Sequence, residues 1–288
     1  MRRRKKVYLC VFIFLFLGCV GAYSEEGKAS NDIKLKNKFM PGVDIDATNS
    51  NIKMIESAFD YSHEFKIGGQ LPLTLSFNYT NTGIDQNLPI DLPSHLIRRG
   101  FGVGTKFPVP FVEKNDRFFV GFDIFPTFVS DNKSIESKAF RIPFRAYFID
   151  KQSEEFLWVL GAKIRPEYDS MVLPIIGFNY TPNDRLTFHL ASDDPNISYK
   201  LTDTARLRWE FGLENEEYEV TRDNQVNVVL RNQYYSTGLG LQYDYYENVQ
   251  VDLSVGGVFG RHLEYADDSG KVIPDSGMYA GLGLSSNF

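Results

Sequence analysis

Apolar residues recur at every second position along most of this chain. In residues 118–128, FFVGFDIFPTF, the positions Phe118, Val120, Phe122, Ile124 and Phe128 share one face. In 140–148 the same holds for Phe140, Ile142, Phe144, Ala146 and Phe148, with Arg141, Pro143, Arg145 and Tyr147 opposite. In 205–213, Ala205, Leu207, Trp209, Phe211 and Leu213 oppose Arg206, Arg208, Glu210 and Gly212. Similar alternation marks 156–164 and 249–257. A period of two is the signature of a β-strand with two unlike faces. No segment carries a stripe of helical period, so the pattern predicts an all-β protein.

The composition of the two faces decides what kind. The apolar face is large and aromatic, in a chain with 24 Phe and 16 Tyr. The other face carries glycine, small polar groups and charges. A soluble sandwich places its bulk inside and its charges in water, whereas a membrane barrel turns apolar residues to lipid and polar ones to its interior. Only a closed sheet satisfies its backbone there. Connectors alternate in length, as such barrels require. Short ones such as EKND (113–116), TPND (181–184) and TDTA (202–205) interleave with long polar ones such as 80–95, 130–138, 214–225 and 264–277. Aromatic residues, among them Phe111, Tyr180, Tyr199, Tyr243 and Tyr245, gather near the short turns, the form of an interfacial girdle. The expectation is a transmembrane, antiparallel, up-and-down β-barrel. Thirteen strands can be placed between 54 and 288, and FMPGVDIDAT (39–48) supplies a fourteenth. Twelve is the alternative, if the short pair flanking SDDP (192–195) does not span.

The start of the chain has a different character. Five basic residues, Arg2 to Lys6, precede the apolar run 7–22, which ends in small residues at Val20 and Ala22. This is the form of a secretory signal peptide, residues 1–22. A retained anchor and lipidation at Cys19 are the alternatives. Both cysteines, Cys10 and Cys19, lie in that segment, so the exported chain would hold together without disulfides. Loss of five cations takes the formal charge from −6 to −11, which argues against nucleic acid as a partner. Residues 23–38 have no evident period and read as a polar periplasmic leader, leaving 39–288 as the barrel.

The last twelve residues, GMYAGLGLSSNF, alternate up to a terminal Phe288. They resemble the closing strand of bacterial outer-membrane proteins, whose assembly machinery reads such an end. That resemblance implies the outer membrane as location, reached by Sec-type export from a Gram-negative cell. It also implies outer-membrane lipid and the barrel-assembly machinery as partners. From about Leu173 onward, PIIGFNYTPNDRLTFHL, PNISYKLTDTARLRWEFGL and VGGVFGRHLEY resemble a family of uncharacterised outer-membrane-type β-barrel proteins. The resemblance implies fold and place, and no activity or catalytic residues.

Candidate chemistry therefore rests on the polar face. Projected onto the predicted strands, one stretch of wall (138–217) is mainly basic, through Arg141, Arg145, Lys163, Arg165, Arg185, Arg206 and Arg208. The rest is mainly acidic, through Asp60, Glu64, Asp123, Asp244 and Asp252. In a water-filled pore such opposed walls would set a transverse field and an ion preference. In a filled barrel the same groups would pair and cement it. Glycines on that face, such as Gly102, Gly121 and Gly238, favour the pore by leaving room. The four histidines are scattered and form no zinc pattern, so no metal or other cofactor is expected. Of the histidines only His63 on the apolar face suggests a lipid-acting enzyme, and no serine partners it. The expected role is passive, porin-like diffusion of small polar solutes. A closed barrel binding through its outer loops is the alternative, and a lipid-acting enzyme the third.

Overall fold

The structure, a computed structural model, describes residues 30–288 except 46–47, 68–70, 89, 110–116, 134–136, 193 and 223–224. Fourteen antiparallel strands follow one another round a closed barrel. They are β1 (Ser30–Ile45), β2 (Thr48–Ile67), β3 (Leu71–Gln86), β4 (His95–Pro108), and β5 in two pieces (Phe118–Ile124 and Thr127–Ser130). Next come β6, also in two pieces (Phe140–Arg141 and Phe144–Lys151), β7 (Phe156–Ile164), β8 (Val172–Asn183), β9 (Leu186–His189) and β10 (Asn196–Lys200). The circuit finishes with β11 (Ala205–Arg222), β12 (Gln225–Tyr246), β13 (Val249–Tyr265) and β14 (Gly277–Asn287).

The chain's end closes the barrel. β14 pairs with β1 from Asp32 opposite Asn287 to Phe39 opposite Ala280. The amide of Asn31 donates to the Phe288 carbonyl at 2.8 Å, and that of Phe288 donates back at 3.0 Å. Fourteen strands are thus present, and the short pair β9–β10 belongs to the ladder.

One expected boundary is wrong. Residues 30–38, assigned to a leader, form the first half of β1. Ile33, Leu35 and Phe39 alternate with Lys34, Lys36 and Lys38, and the lysines share the inner face with Asp60 of β2. Lysines turned inward meet no hydrocarbon, so a strand can be highly polar at half its positions. The segment 1–22, expected to be a signal peptide, lies outside the described residues.

The polarity of the wall is inverted relative to a soluble sandwich. Phe122, Leu239 and Leu253 are among the most exposed residues of their strands, at 44%, 55% and 54%. Phe77 packs on Phe101 and Phe59, and Phe178 on Trp158 and Phe156, along this outer surface. Tyr180, Tyr199, Tyr243, Tyr245 and Tyr246 ring the short-turn end.

Inner-face glycines do not leave the space that the sequence suggested. Gly121 and Gly238 each seat a tyrosine from a neighbouring strand close against the wall. A Cβ at Gly121 would stand 2.2 Å from the Tyr147 ring, and one at Gly238 would stand 2.2 Å from the Tyr279 hydroxyl. These glycines serve close packing rather than a wide bore.

The barrel has two tiers. At the long-loop end β5 leaves β6 and meets β11, with Ser130 opposite Glu219 in a parallel contact. The Asp131 amide donates to the Glu219 carbonyl at 3.1 Å, and the Thr221 amide donates to the Asp131 carboxylate at 3.0 Å. The departure follows the breaks at Phe125–Pro126 in β5 and Ile142–Pro143 in β6, where proline cannot donate to the ladder. The upper tier therefore comprises β1–β5 and β11–β14. Its interior is packed solid by Met40, Ile52, Met54, Leu96, Leu230 and Leu263, with Tyr218 and Tyr265. Leu92 of the β3–β4 connection joins them, held by a hydrogen bond from Tyr265 Oη to the Asp91 carbonyl at 2.6 Å. All nine strands contribute to this core, so the outer end is closed along the axis.

Candidate functional site: the polar lumen and its seams

Below the apolar tier the interior is lined by charge. Register fixes the facing: Asp123, Arg145, Lys163 and Leu173 stand directly opposite one another on β5 to β8 and so share the inner face. The basic stretch of wall, β6 to β11, meets the acidic stretch at two seams, and the ion pairs form there. At the first, Arg145 Nε lies 2.9 Å from Asp123 Oδ2. At the second, Arg206 lies 3.0 Å from Asp244. Arg208 lies 2.9 Å from Asp252 and 3.6 Å from Glu210, reaching over Gly240 to do so. Neighbouring charges compensate one another along the wall, which weakens any field across the lumen. Asp60 sits on the inner face of β2, half-buried, opposite Lys34.

Other residues singled out by the sequence lie elsewhere. Arg185 is exposed at the β8–β9 turn, and Glu64 is exposed near the start of the β1–β2 ladder. Arg141 and Arg165 are buried in a third seam, where the connection between β7 and β8 meets β11. Arg141 Nη1 pairs with Glu217 at 3.1 Å and also donates to the Glu167 carbonyl at 3.2 Å. Arg165 donates to the Asn215 carbonyl at 2.7 Å and to the Ser170 carbonyl at 3.1 Å. Tyr168 lies between the two guanidiniums, 4.2 and 4.5 Å from their centres, and donates to Glu216 at 2.9 Å. Burial, then the Glu216 carboxylate, push the Tyr168 phenol above its ordinary pKa, so it stays a donor. This latch replaces a backbone ladder with side chains. The sequence hinted at it only through the polar run EYDS at 167–170.

Sequence reasoning missed Arg98 and Lys36. Arg98 on β4 pairs with Glu216 on β11 at 3.3 Å, beneath the apolar tier. Lys36 on β1 reaches Asp194 of the β9–β10 connection at 2.5 Å, so that connection turns into the lumen. Neither pair could be found without the closure register. His63, the enzyme candidate, is engaged by Asn31 at 2.8 Å and stacks on Phe65. Among the described residues no group of His, Cys, Asp or Glu could hold a metal ion.

These features define a membrane-type β-barrel: apolar outside, ionic inside, closed by its terminal strand. The chain belongs to the family described as a domain of unknown function (DUF6268), whose model matches residues 117–288. That match begins well before Leu173, where the resemblance first becomes legible by eye. No curated protein matches the sequence. Among solved structures, an outer membrane channel from Pseudomonas putida F1 is 9% identical with a TM-score of 0.48, covering 92% of this chain and 97% of that one. A mutant of the TodX monoaromatic hydrocarbon channel is 10% identical with a TM-score of 0.47, covering 92% and 91%. The KdgM porin is 9% identical with a TM-score of 0.37, covering 89% and 99%. These likenesses do not bear on cargo.

Proposed function

We propose that the protein is a porin-like channel of the bacterial outer membrane, carrying small polar solutes through the lower lumen, with the upper tier as its gate. The observation that carries this is the inversion of polarity: an aromatic outer surface around an ionic interior. Asp60, Asp123, Arg145, Arg206, Arg208, Asp244 and Asp252 line the passage in this reading. The seam pairs leave the passage with little net preference for either ion sign. Phe288 and the closing strand serve assembly, and the leading segment 1–22 serves export.

Gating by the upper tier predicts that weakening its core releases conductance. In planar bilayers the wild type is expected to give small, brief steps. The double variant Leu230→Ser, Leu263→Ser, at two fully buried positions, is expected to give larger and longer ones, with near-zero reversal potential in a salt gradient. Folding of the variant is checked by its heat-modifiable mobility on gels. Silence of both proteins, where a reference porin conducts, contradicts the channel.

A second reading, a closed barrel that binds partners through its outer loops, is favoured by the filled tier alone. It requires that silence, together with loss of attachment when residues 266–276 are shortened.

A further inference from the structure

The wall of the lower tier is incomplete on one side. β9 and β10 contain four and five residues, whereas a tilted strand needs roughly nine to eleven to cross the apolar band. Their paired register runs from the short turns up to His189 opposite Asn179 and Asn196 opposite Glu210. It ends after one more backbone bond on each side, Leu190 amide to Phe178 carbonyl at 2.9 Å and Phe211 amide to Pro195 carbonyl at 3.0 Å. The flanking strands continue, β8 up to Val172 and β11 past Asn215. Above the hairpin no backbone pairing joins β8 to β11 among the described residues. At the level of the hairpin two strands separate β8 from β11, about 14 Å at ~4.8 Å per step, and above it the ladder has a window that narrows toward the Arg165–Asn215 contact.

The window has a floor, a roof and two unlike rims. Its floor is the β9–β10 connection, which packs on Gly177 through Leu190 and Ala191 and is tied across the lumen by Asp194 to Lys36. Its roof is the latch of Arg165, Tyr168 and Arg141 on β11. The β8 rim is the run MVLPII, residues 171–176, where alternation fails and both faces are apolar. Val172 and Ile176 project outward, 60% and 73% exposed, while Leu173 and Ile175 face the lumen. Pro174 in this rim suits a strand edge, where no ladder bond is required of it. The β11 rim has Leu213 outward and Glu214 inward.

We infer that this window is a lateral port through which amphiphilic molecules with one acyl-type chain pass between the lumen and the outer leaflet of the membrane. The inference rests on the proposed outer-membrane placement. Two observations choose this occupant. The rim is apolar on both of its faces, so an apolar chain keeps its contacts as it moves from the outside to the inside. The free strand edges also present unladdered N–H and C=O groups, which hydrocarbon alone cannot satisfy at a cost of several kcal/mol each. A polar head, or the lumen water that accompanies it, meets that need, with Asn179, His189 and Glu214 just inside. The solid upper tier makes the side entrance the unobstructed route from the cell surface.

The test uses single cysteines in the full chain, with Cys10 and Cys19 replaced by serine. A fluorophore is attached at Ile175→Cys on the lumen side of the window, at Ser254→Cys on the lumen side of the complete β13 wall, or at Leu239→Cys on the outer surface. The protein is folded into phosphatidylcholine vesicles and titrated with a fatty acid bearing a nitroxide on its chain. Port function predicts that quenching at 175 approaches that at 239 and exceeds that at 254 several-fold. It also predicts that added unlabelled decanoate reduces quenching at 175. Strong quenching at 239, with 175 no more quenched than 254, overturns the port and leaves the membrane placement standing. Absence of quenching at 239 overturns the placement itself, and the port with it.

Discussion

Replacing Leu239 by arginine is expected to destabilise the folded barrel in phospholipid vesicles by about 2–4 kcal/mol, the cost of a cation at the bilayer midplane on a lipid-facing wall. Leu239 lies midway between Tyr243 and Tyr235 on β12, beside Trp209 of β11 and Val255 of β13, all four flanking residues half-exposed on the outer surface. The size of the effect is the point. Were this surface in water, a Leu that is already 55% exposed could become Arg at a cost within roughly 0.5 kcal/mol. A denaturant titration of reversible folding into vesicles measures the difference. Moving the substitution toward the interface, to Tyr243→Arg, is expected to shrink the penalty to about 0–1 kcal/mol.

The second large effect lies in the seam that replaces the missing ladder. Arg141 and Glu217 are buried ion partners, their side chains 2% and 8% exposed. Glu217 also accepts from the Asp169 amide at 3.1 Å and lies 3.6 Å from Arg231. Arg141→Ala leaves the buried Glu217 carboxylate only the more distant Arg231 as a cation and removes the guanidinium that lies over Tyr168, a loss of up to about 3–5 kcal/mol, the scale of broken buried pairs. Exchanging both partners for apolar residues of similar volume, Arg141→Met with Glu217→Leu, is expected to cost far less, because no charge is left unpaired. Thermal unfolding of the two variants, compared with wild type, separates the cost of an orphaned charge from the worth of the pair. By contrast, removing Arg206 or Asp244, whose pair is about a quarter to a third exposed, is expected to change stability by roughly 0–1 kcal/mol.

Much of this fold is legible in the sequence because a barrel wall reports itself twice, once as period two and once as the unequal character of its faces. β11 shows this best: Leu207, Trp209 and Leu213 outside, Arg206, Arg208 and Glu210 inside. The strands that were mislocated or shortened are those in which one of these reports fails. In β1 the outward positions are only Ile33, Leu35, Asn37 and Phe39, so the inward lysines dominate and the segment passes for a leader. β8 is legible although its run MVLPII lacks alternation, because Ile176, Phe178 and Tyr180 beyond it alternate with Gly177 and Asn179. The two tiers were invisible for another reason. Inward apolar residues of the upper tier, such as Met54, Tyr218 and Leu263, extend strands whose lower halves face inward with charge, so the inner face changes character midway.

The lumen was legible as composition and not as geometry. Opposed basic and acidic walls follow from assigning residues to strands, but their mutual compensation follows from which strands are neighbours. Asp123 with Arg145, and Arg208 with Asp252, are pairs of register. Arg141 and Arg165, which alternate with outward residues in the sequence, are drawn into the third seam because β6 and β7 end low and their connections fold onto β11. No one-dimensional projection carries that information.

The most direct measurement concerns which way the wall faces. Nitroxide side chains are placed singly at Phe122, Leu239 and Leu253, and at Asp252 and Ser254 on the alternate face, in protein folded into lipid vesicles. Their collision rates are then compared for oxygen, which concentrates in hydrocarbon, and for a water-soluble nickel chelate. The structure predicts that the first three favour oxygen and the last two are shielded from it. Preference for the nickel chelate at 122, 239 and 253 would contradict the barrel's place in a membrane.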